Sequence, residues 1–160
     1  MRLSPLTAGH RDAVLAFETA NRAYFAASVP DRGDGFFAGY PARHAALLAM
    51  QAAGTDRFHL LVTDAGEIAG RFNLTSIAGG EAEVGYRVAE AFAGRGAATD
   101  GVRQLCELAR SAYGLRRLRA DTSPDNHASR AVLLRNDFTF LGESTVDGVP
   151  THRFARNLTS

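Results

Sequence analysis

The chain has 160 residues, 46% of them hydrophobic, which is enough for a single domain over residues 1–160 with a buried core. A formal net charge of +1 gives no reason to expect nucleic acid or a membrane surface as a partner. The single cysteine excludes an internal disulfide and fits a reducing compartment. The sequence has neither a long apolar run nor a signal-peptide pattern, so we expect a cytoplasmic protein.

The first third of the chain predicts two helices after a short edge strand at residues 2–6, where Pro5 is tolerated. Apolar residues recur at helical spacing from Ala8 to about Ala27. A second helix begins near residue 36 or 41 and ends at residue 53. Between them, the proline and glycines of residues 30–35 break the helical pattern.

Three strands are predicted next. Residues 58–63 and 68–74 flank a short glycine-containing loop, as in a β-hairpin. The third strand, residues 83–88, places apolar side chains on one face, and on the other it places the carboxylate of Glu83 beside Gly85.

A helix at residues 97–113 then leads to a strand at residues 115–121. This strand runs parallel to its predecessor because a helix separates the two. A further helix ends near Asn136, and residues 138–141 and 151–154 form a closing hairpin.

The segment Ala93–Thr99, between the third strand and its helix, predicts an anion site. Gly94 and Gly96 allow a tight turn and a close backbone approach to a ligand. The first N–H groups of the following helix have no internal partners, and with the helix dipole they favour a phosphate. Because many glycine turns only connect two elements, the glycines alone do not decide the matter.

Two common phosphate motifs do not fit this segment. A P-loop requires a lysine, and the chain contains none. A dinucleotide fingerprint requires a third glycine or alanine where Thr99 stands, and the surrounding strand–helix–strand unit is not repeated. The remaining interpretation is a pyrophosphate site followed by one crossover helix.

Two further stretches give a family resemblance. Glu83–Val88 resembles the Glu-x-Gly-Tyr strand that precedes the coenzyme A loop in one branch of the GNAT acetyltransferases. Asn126–Phe138 resembles that branch's Asn-x-x-Ser-x-x-x-Leu-x-x-x-Gly-Phe signature, and Gly94–Gly96 lies between the two in the expected order. A weaker pattern from Phe17 to Phe37 extends the likeness. The branch contains the ribosomal-protein-alanine N-acetyltransferases.

The resemblance implies an α/β fold with a GNAT-like mixed, mostly antiparallel central sheet, flanked by about four helices. Two parallel central strands would splay apart and form a cleft for acetyl-CoA, the cosubstrate, without a metal. The residues expected to bind the coenzyme are Val88 and Ala89 for pantetheine, Gly94, Arg95, Gly96, Ala97 and Ala98 for the pyrophosphate, and Asn126 and Ser129 near the thioester.

The implied reaction is direct acetyl transfer to a primary amine, either a protein or peptide N-terminal α-amine or a small-molecule amine. Glu83 is the candidate base, although a solvated strand carboxylate or an anchor for the substrate amine is equally compatible with its position. Ser129 is the candidate acid, with a hydroxyl that bonds locally in the first helical turn as its alternative. We expect substrate contacts from the first two helices and their connection, by elimination.

Three positions depart from the superfamily pattern. Ala91 stands where glutamine or arginine is frequent. Leu133 stands where many members have a general-acid tyrosine, and leucine is characteristic of this branch. Asp137 replaces a glycine, and we expect it to adopt the left-handed conformation at a modest cost.

The rival interpretation is a non-catalytic acyl-CoA-binding module that senses or scaffolds. The five histidines show no metal-ligand spacing, so no metal is expected. A homodimer is possible, but the sequence carries no signal for it.

Overall fold

The computed structural model describes residues 1–159, which form one seven-stranded sheet and six α-helices. The elements in chain order are β1 (Arg2–Pro5), α1 (Arg11–Ala20), α2 (Arg22–Ala26), α3 (Asp34–Ala38), α4 (Tyr40–Ala53), β2 (Arg57–Val62), β3 (Ile68–Ala78), β4 (Glu81–Val88), α5 (Ala97–Ser111), β5 (Arg117–Thr122), α6 (His127–Arg135), β6 (Thr139–Val146) and β7 (Val149–Asn157). Among these residues, no helix is both long and apolar enough to cross a bilayer.

The sheet order is β1-β2-β3-β4-β5-β7-β6. All neighbouring strands pair antiparallel except β4 and β5, which are parallel and are connected by α5. This confirms the predicted mixed, mostly antiparallel sheet. The predicted edge strand and closing hairpin are also confirmed, as β1 and as β6 with β7.

The two parallel strands separate after a short contact. Glu81–Glu83 pair with Arg117–Arg119, and no pairing is found beyond Glu83 within residues 1–159. Since β4 continues to Val88 and β5 continues to Thr122, a gap opens in the middle of the sheet. The predicted splay is therefore present, and it leaves unpaired backbone on β4.

Helices cover both faces of the sheet. Leu60 and Leu61, which are neighbours on β2 and hence point to opposite faces, belong to different apolar clusters. The larger cluster contains Val102 and Leu105 of α5, and the smaller contains Val14 of α1 with residues of α4. The buried free thiol Cys106 packs in the larger core, as expected for a structural cysteine.

More helices form than the four predicted, because two predicted helices are each broken once. Asn21 ends α1 with φ −104° and ψ 8°, while its side-chain amide donates to Phe17 O and its side-chain oxygen accepts from Glu90 N. Gly39 similarly separates α3 from α4. The Asn21 break depends on a residue 69 positions away, which periodicity cannot reveal.

Positive φ angles occur where the sequence predicts turns. Gly114, after α5, has φ 64°, and Asp137 also has φ 64°, so the left-handed aspartate is confirmed. Asp147 and Gly148 have φ 52° and 78° and join β6 to β7 in the turn favoured by β-hairpins.

Gly101 allows α5 to pack closely on the sheet. A methyl group there would overlap the ring of Phe72 on β3, and Phe72 in turn stacks on Tyr86. We expect Gly101→Ala to lower the free energy of unfolding by about 1–3 kcal/mol, because overpacking outweighs the gain in helix propensity of about 1 kcal/mol. Urea denaturation measures this change. Gly35→Ala on α3 is the matched control, since no atom lies within 4 Å of its added carbon; equal effects of the two variants would contradict the prediction.

Candidate active site

The gap between β4 and β5 opens into a cleft of about 450 Å³. One end is lined by the segment Ala93–Thr99, except for Arg95, and one wall by α6. The opposite wall is formed by α2 and the turn that follows it, while β4 contributes Tyr86, Arg87 and Val88. The cleft thus joins the predicted anion site to the unpaired edge of β4.

The start of α5 presents free backbone N–H groups to this cleft. Gly94 and Gly96 have φ 71° and 78°, conformations that side chains with a Cβ rarely adopt. The first helical bond runs from Asp100 N to Gly96 O over 2.9 Å, and no side chain caps the helix. Within residues 1–159, the N–H groups of Ala97, Ala98 and Thr99 therefore have no partner, and they form an anion-binding array.

Val88 provides free backbone groups, but Ala89 does not. Ala89 N donates to Ala69 O over 2.8 Å, and Ala89 O accepts from Phe92 N. Because bonded and non-bonded pairs alternate along an antiparallel ladder, the N–H and C=O of Val88 point away from β3 and into the gap. The prediction of free backbone groups at Ala89 is wrong, since the fold already uses them.

A second basic side chain, which sequence reasoning missed, lies near the glycine loop. The predicted Arg95 is exposed and does not line the cleft, whereas Arg135 at the end of α6 does. Arg135 had no signal of its own in the sequence, because the last turn of a helix is a common place for arginine. Its position opposite the helix start suits a phosphate.

Asn126 and Ser129 lie together on the α6 wall. Asn126 caps the helix, since its side-chain oxygen accepts from Ser129 N at 3.1 Å. The Ser129 hydroxyl does not bond within the helix; it lies 2.6 Å from the hydroxyl of Tyr86 on β4. The cap therefore fixes the backbone of a serine whose side chain faces the cleft.

Tyr86 is the principal residue that sequence reasoning missed. Its ring stacks on Phe72 at 5.6 Å between centroids, and burial raises the pKa of its hydroxyl, although the hydrogen bond with Ser129 opposes this shift. Two hydroxyls in hydrogen-bond contact across the cleft can relay a proton to a leaving group. The Glu-x-Gly-Tyr motif could have pointed to Tyr86, because its tyrosine is part of the family pattern. The alternation along the strand, however, indicates only that Tyr86 lies on the apolar face.

Glu83 lies at the last position where β4 pairs with β5, beside Arg119. It faces the side opposite Tyr86 and is not among the residues that line the cleft. Any action on a bound amine would thus require a water relay. Leu133 is fully buried in the larger core, so a tyrosine grafted there would overpack the core rather than reach the cleft.

The remaining wall comes from the first part of the chain. Tyr24 and Phe25 of α2 line the cleft, and so do Ser28 and Val29 of the following turn. Residues of the first predicted helix therefore line the cleft, while α3 and α4 do not. In the part of the chain that the structure describes, no cluster of histidine, cysteine and acidic residues could hold a metal ion.

Comparisons with known proteins agree with this geometry. The profile of the family described as "Acetyltransferase (GNAT) domain" matches residues 1–139. No curated protein sequence matches the chain. Because the family profile covers residues 1–139, the chain belongs to the GNAT acetyltransferases. The predicted acyl-CoA-dependent N-acetyltransferase is confirmed at the level of the family.

Several solved structures share the fold. Ribosomal-protein-S5-alanine acetyltransferase from Vibrio fischeri is similar with a TM-score of 0.87 at 20% identity, over 97% of this chain and 91% of that chain. RimJ from Mycobacterium smegmatis, in complex with CoA-disulfide, has a TM-score of 0.84 at 24% identity, over 97% and 80% of the two chains. A spermidine N-acetyltransferase from Vibrio cholerae has a TM-score of 0.77 at 12% identity, over 99% and 95%.

Proposed function

We propose that this chain transfers an acetyl group from acetyl-CoA directly to a primary amine in the cleft lined by β4, α6, α2 and the start of α5. The observation that carries the proposal is the cleft itself. It is lined both by the start of α5, with its free N–H groups, and by the contacting hydroxyls of Ser129 and Tyr86. The pyrophosphate binds the N–H groups of Ala97, Ala98 and Thr99, with Arg135 as a further phosphate ligand. Pantetheine pairs with Val88, where β5 leaves the ladder open.

The proposed chemistry needs little from the side chains. The neutral amine attacks the thioester carbonyl carbon, the C–S bond breaks, and the nitrogen loses a proton while the sulfur gains one. A thiol of pKa about 8.5 is already a fair leaving group, so a hydrogen bond from Ser129, backed by Tyr86, suffices. Glu83 is the proposed base, through water.

The acceptor is proposed to be a protein or peptide N-terminal α-amine, or a small-molecule amine. An α-amine with a pKa near 8 is about one-tenth neutral at pH 7, whereas a lysine amine is less than about 0.1% neutral. A weak base that acts through a water molecule is therefore sufficient for an α-amine. The similar structures include both a ribosomal-protein-alanine acetyltransferase and a spermidine acetyltransferase, so the fold is compatible with either kind of acceptor.

The proposal includes a cytoplasmic location and a homodimer. The buried, unpaired Cys106 fits a reducing compartment. Leu141 and Val149 on the β6–β7 hairpin are more than half exposed, and we propose this hairpin as the surface that contacts a second copy. Sedimentation equilibrium tests the dimer.

Release of coenzyme A thiol from acetyl-CoA tests the proposed function directly. The acceptor panel would contain N-terminal peptides, polyamines and small amines, each at pH 7 and pH 8.5. Amine-dependent thiol release together with a mass gain of one acetyl group supports the proposal. Tight coenzyme binding without turnover of any amine would instead support the non-catalytic module.

Glu83→Gln separates a base from an anchor. If Glu83 is the base, kcat should fall by about tenfold or more, most strongly at low pH where little neutral amine is present, while coenzyme affinity is unchanged. Steady-state kinetics with a peptide acceptor from pH 6 to 9 measure this. Glu81→Gln is the matched control, because Glu81 lies two residues earlier on the same face of β4. An unchanged kcat with a raised acceptor KM would reassign Glu83 as an anchor for the substrate.

A further inference from the structure

A buried carboxylate lies behind the α2 wall of the cleft. Glu18 on α1 is only 1% exposed, and three arginines from other segments contact it. The distances to its carboxylate oxygens are 3.3 Å from Arg32 Nε, 3.2 Å from Arg71 Nη1 and 3.0 Å from Arg87 Nη1. One carboxylate cannot neutralise three guanidinium groups, so this cluster (Glu18, Arg32, Arg71 and Arg87) keeps a net positive charge in a partly desolvated place.

Neighbouring acidic groups do not remove this charge. Arg22 contacts Asp31 and Asp34 at 2.7 Å and 2.8 Å, so these three groups together carry one negative charge, which reduces the excess positive charge of the cluster but does not cancel it. The side chain of Asp34 is 97% exposed and therefore screened by water. Burial, and next the charge of Arg87, lower the pKa of Arg32, as expected where like charges crowd together. The positive charge of Arg43 acts in the same direction.

The cluster reaches the cleft through Arg87. Its guanidinium lies over the ring of Phe25 at 4.5 Å, and within residues 1–159 only its Nη1 has a hydrogen-bond partner. A small cavity of about 10 Å³ lies beside the cleft and shares Phe25, Val29 and Arg87 with it. Arg32 also lines this cavity, is 36% exposed, and is held over the ring of Phe36 at 4.6 Å.

The cluster lies on the face of β4 that also carries Glu83, the proposed base. Side chains alternate along β4, so Arg87 points to the face opposite Tyr86 and Val88, yet it still reaches the lining of the cleft. The guanidinium groups of Arg32 and Arg87 contact the same Glu18 oxygen and so lie side by side, and each keeps further N–H groups that could bind a carboxylate or phosphate.

We propose that the acceptor carries an anionic group, a carboxylate or a phosphate, near its reacting amine, and that Arg87 and Arg32 bind it. Arg71, which is 7% exposed, is a positioning residue that acts through Glu18. This inference rests on the proposed function and narrows its substrate class. The same positive potential disfavours polycationic acceptors and lowers the pKa of a bound amine, which favours its nucleophilic form.

Matched acceptors test the inference. The peptide arm compares alanyl-glutamyl-alanine amide with alanyl-glutaminyl-alanine amide, and the small-molecule arm compares phosphoethanolamine with ethanolamine. Spermidine serves as the polycation. We expect kcat/KM to be about tenfold higher for the anionic member of at least one pair, and to converge at 0.5 M salt because screening weakens the attraction. The arm with the larger ratio identifies a peptide acid or a phosphate as the anion source.

Variants assign the effect to the arginines. Arg32→Gln and Arg87→Gln should each reduce the anionic-to-neutral ratio by about three- to tenfold, and Arg32→Glu should invert it. Arg110→Gln, on the exposed side of α5 and paired with Glu107, is the matched control and should keep the wild-type ratio. Circular dichroism shows whether each variant is folded. If Arg87→Gln is unfolded, the Arg32 variants alone test the inference.

Two outcomes separate this inference from the proposed function. Equal kcat/KM values for both members of each pair, or ratios unchanged in Arg32→Gln, would overturn the inference and leave acetyl transfer standing. If no amine is turned over, calorimetry can still test the inference, because binding needs no catalysis. It compares the affinities of the N-acetylated acidic and neutral peptides for the protein with coenzyme A bound. Equal affinities there would again overturn the inference.

Discussion

Ser129→Ala is expected to lower kcat by about 10- to 100-fold while coenzyme A affinity changes little. The hydroxyl faces the cleft and touches Tyr86 at 2.6 Å, so its loss removes the nearest donor to the departing thiolate. The backbone should stay in place, because Asn126 caps the Ser129 N–H and not its side chain. Single-turnover acetylation under saturating substrates measures the chemical step apart from product release.

Removal of the Tyr86 hydroxyl tests whether Tyr86 and Ser129 act as one unit in catalysis. Tyr86→Phe keeps the stack on Phe72 and removes only the oxygen. If the two hydroxyls act as one relay, the double variant should lose no more than the worse single variant. Ser111→Ala is the control, because this serine on α5 is exposed and its hydroxyl donates to Glu107 O within its own helix. Unaltered single-turnover rates in Ser129→Ala would show that water is the acid.

The sequence was sufficient for the features whose signals are local. A glycine turn between a strand and a helix predicts free N–H groups, because backbone geometry alone produces them. The spacing of Asn126 and Ser129 on one helical turn predicts a shared face. The single parallel pair followed from one helix between two strands, and the observed register of Glu83 with Arg119 fits it.

The parts that failed depend on contacts between distant residues. Tyr86 and Ser129 are 43 positions apart, and alternation along β4 describes Tyr86 only as a core residue. Glu18 is polar on a helix, which predicts exposure, yet it is buried because Arg71 and Arg87 reach it from the sheet. Ala89 looked free because the sequence does not give the strand register that uses its N–H.

Gly96→Val is expected to weaken binding of acetyl-CoA by about 10- to 100-fold. Gly96 precedes α5 with φ 78°, and a β-branched residue disfavours that conformation. No atom lies within 4 Å of the position of an added Cβ, so the penalty comes from the backbone rather than from a clash. When the loop relaxes to a negative φ, the N–H groups of Ala97 and Ala98 turn away from a common point, and bonds to a charged phosphate are lost. Calorimetry measures the affinity.

Gly54→Val distinguishes this loss of binding from a loss of stability. Gly54 follows α4, also has φ 78°, and likewise has no atom within 4 Å of an added Cβ, but it lies outside the cleft. Both variants should therefore lower the free energy of unfolding by a similar amount, about 1–2 kcal/mol. Only Gly96→Val should weaken the coenzyme. A folded Gly96→Val protein with wild-type affinity would move the pyrophosphate away from the start of α5 and leave Arg135 as its remaining ligand.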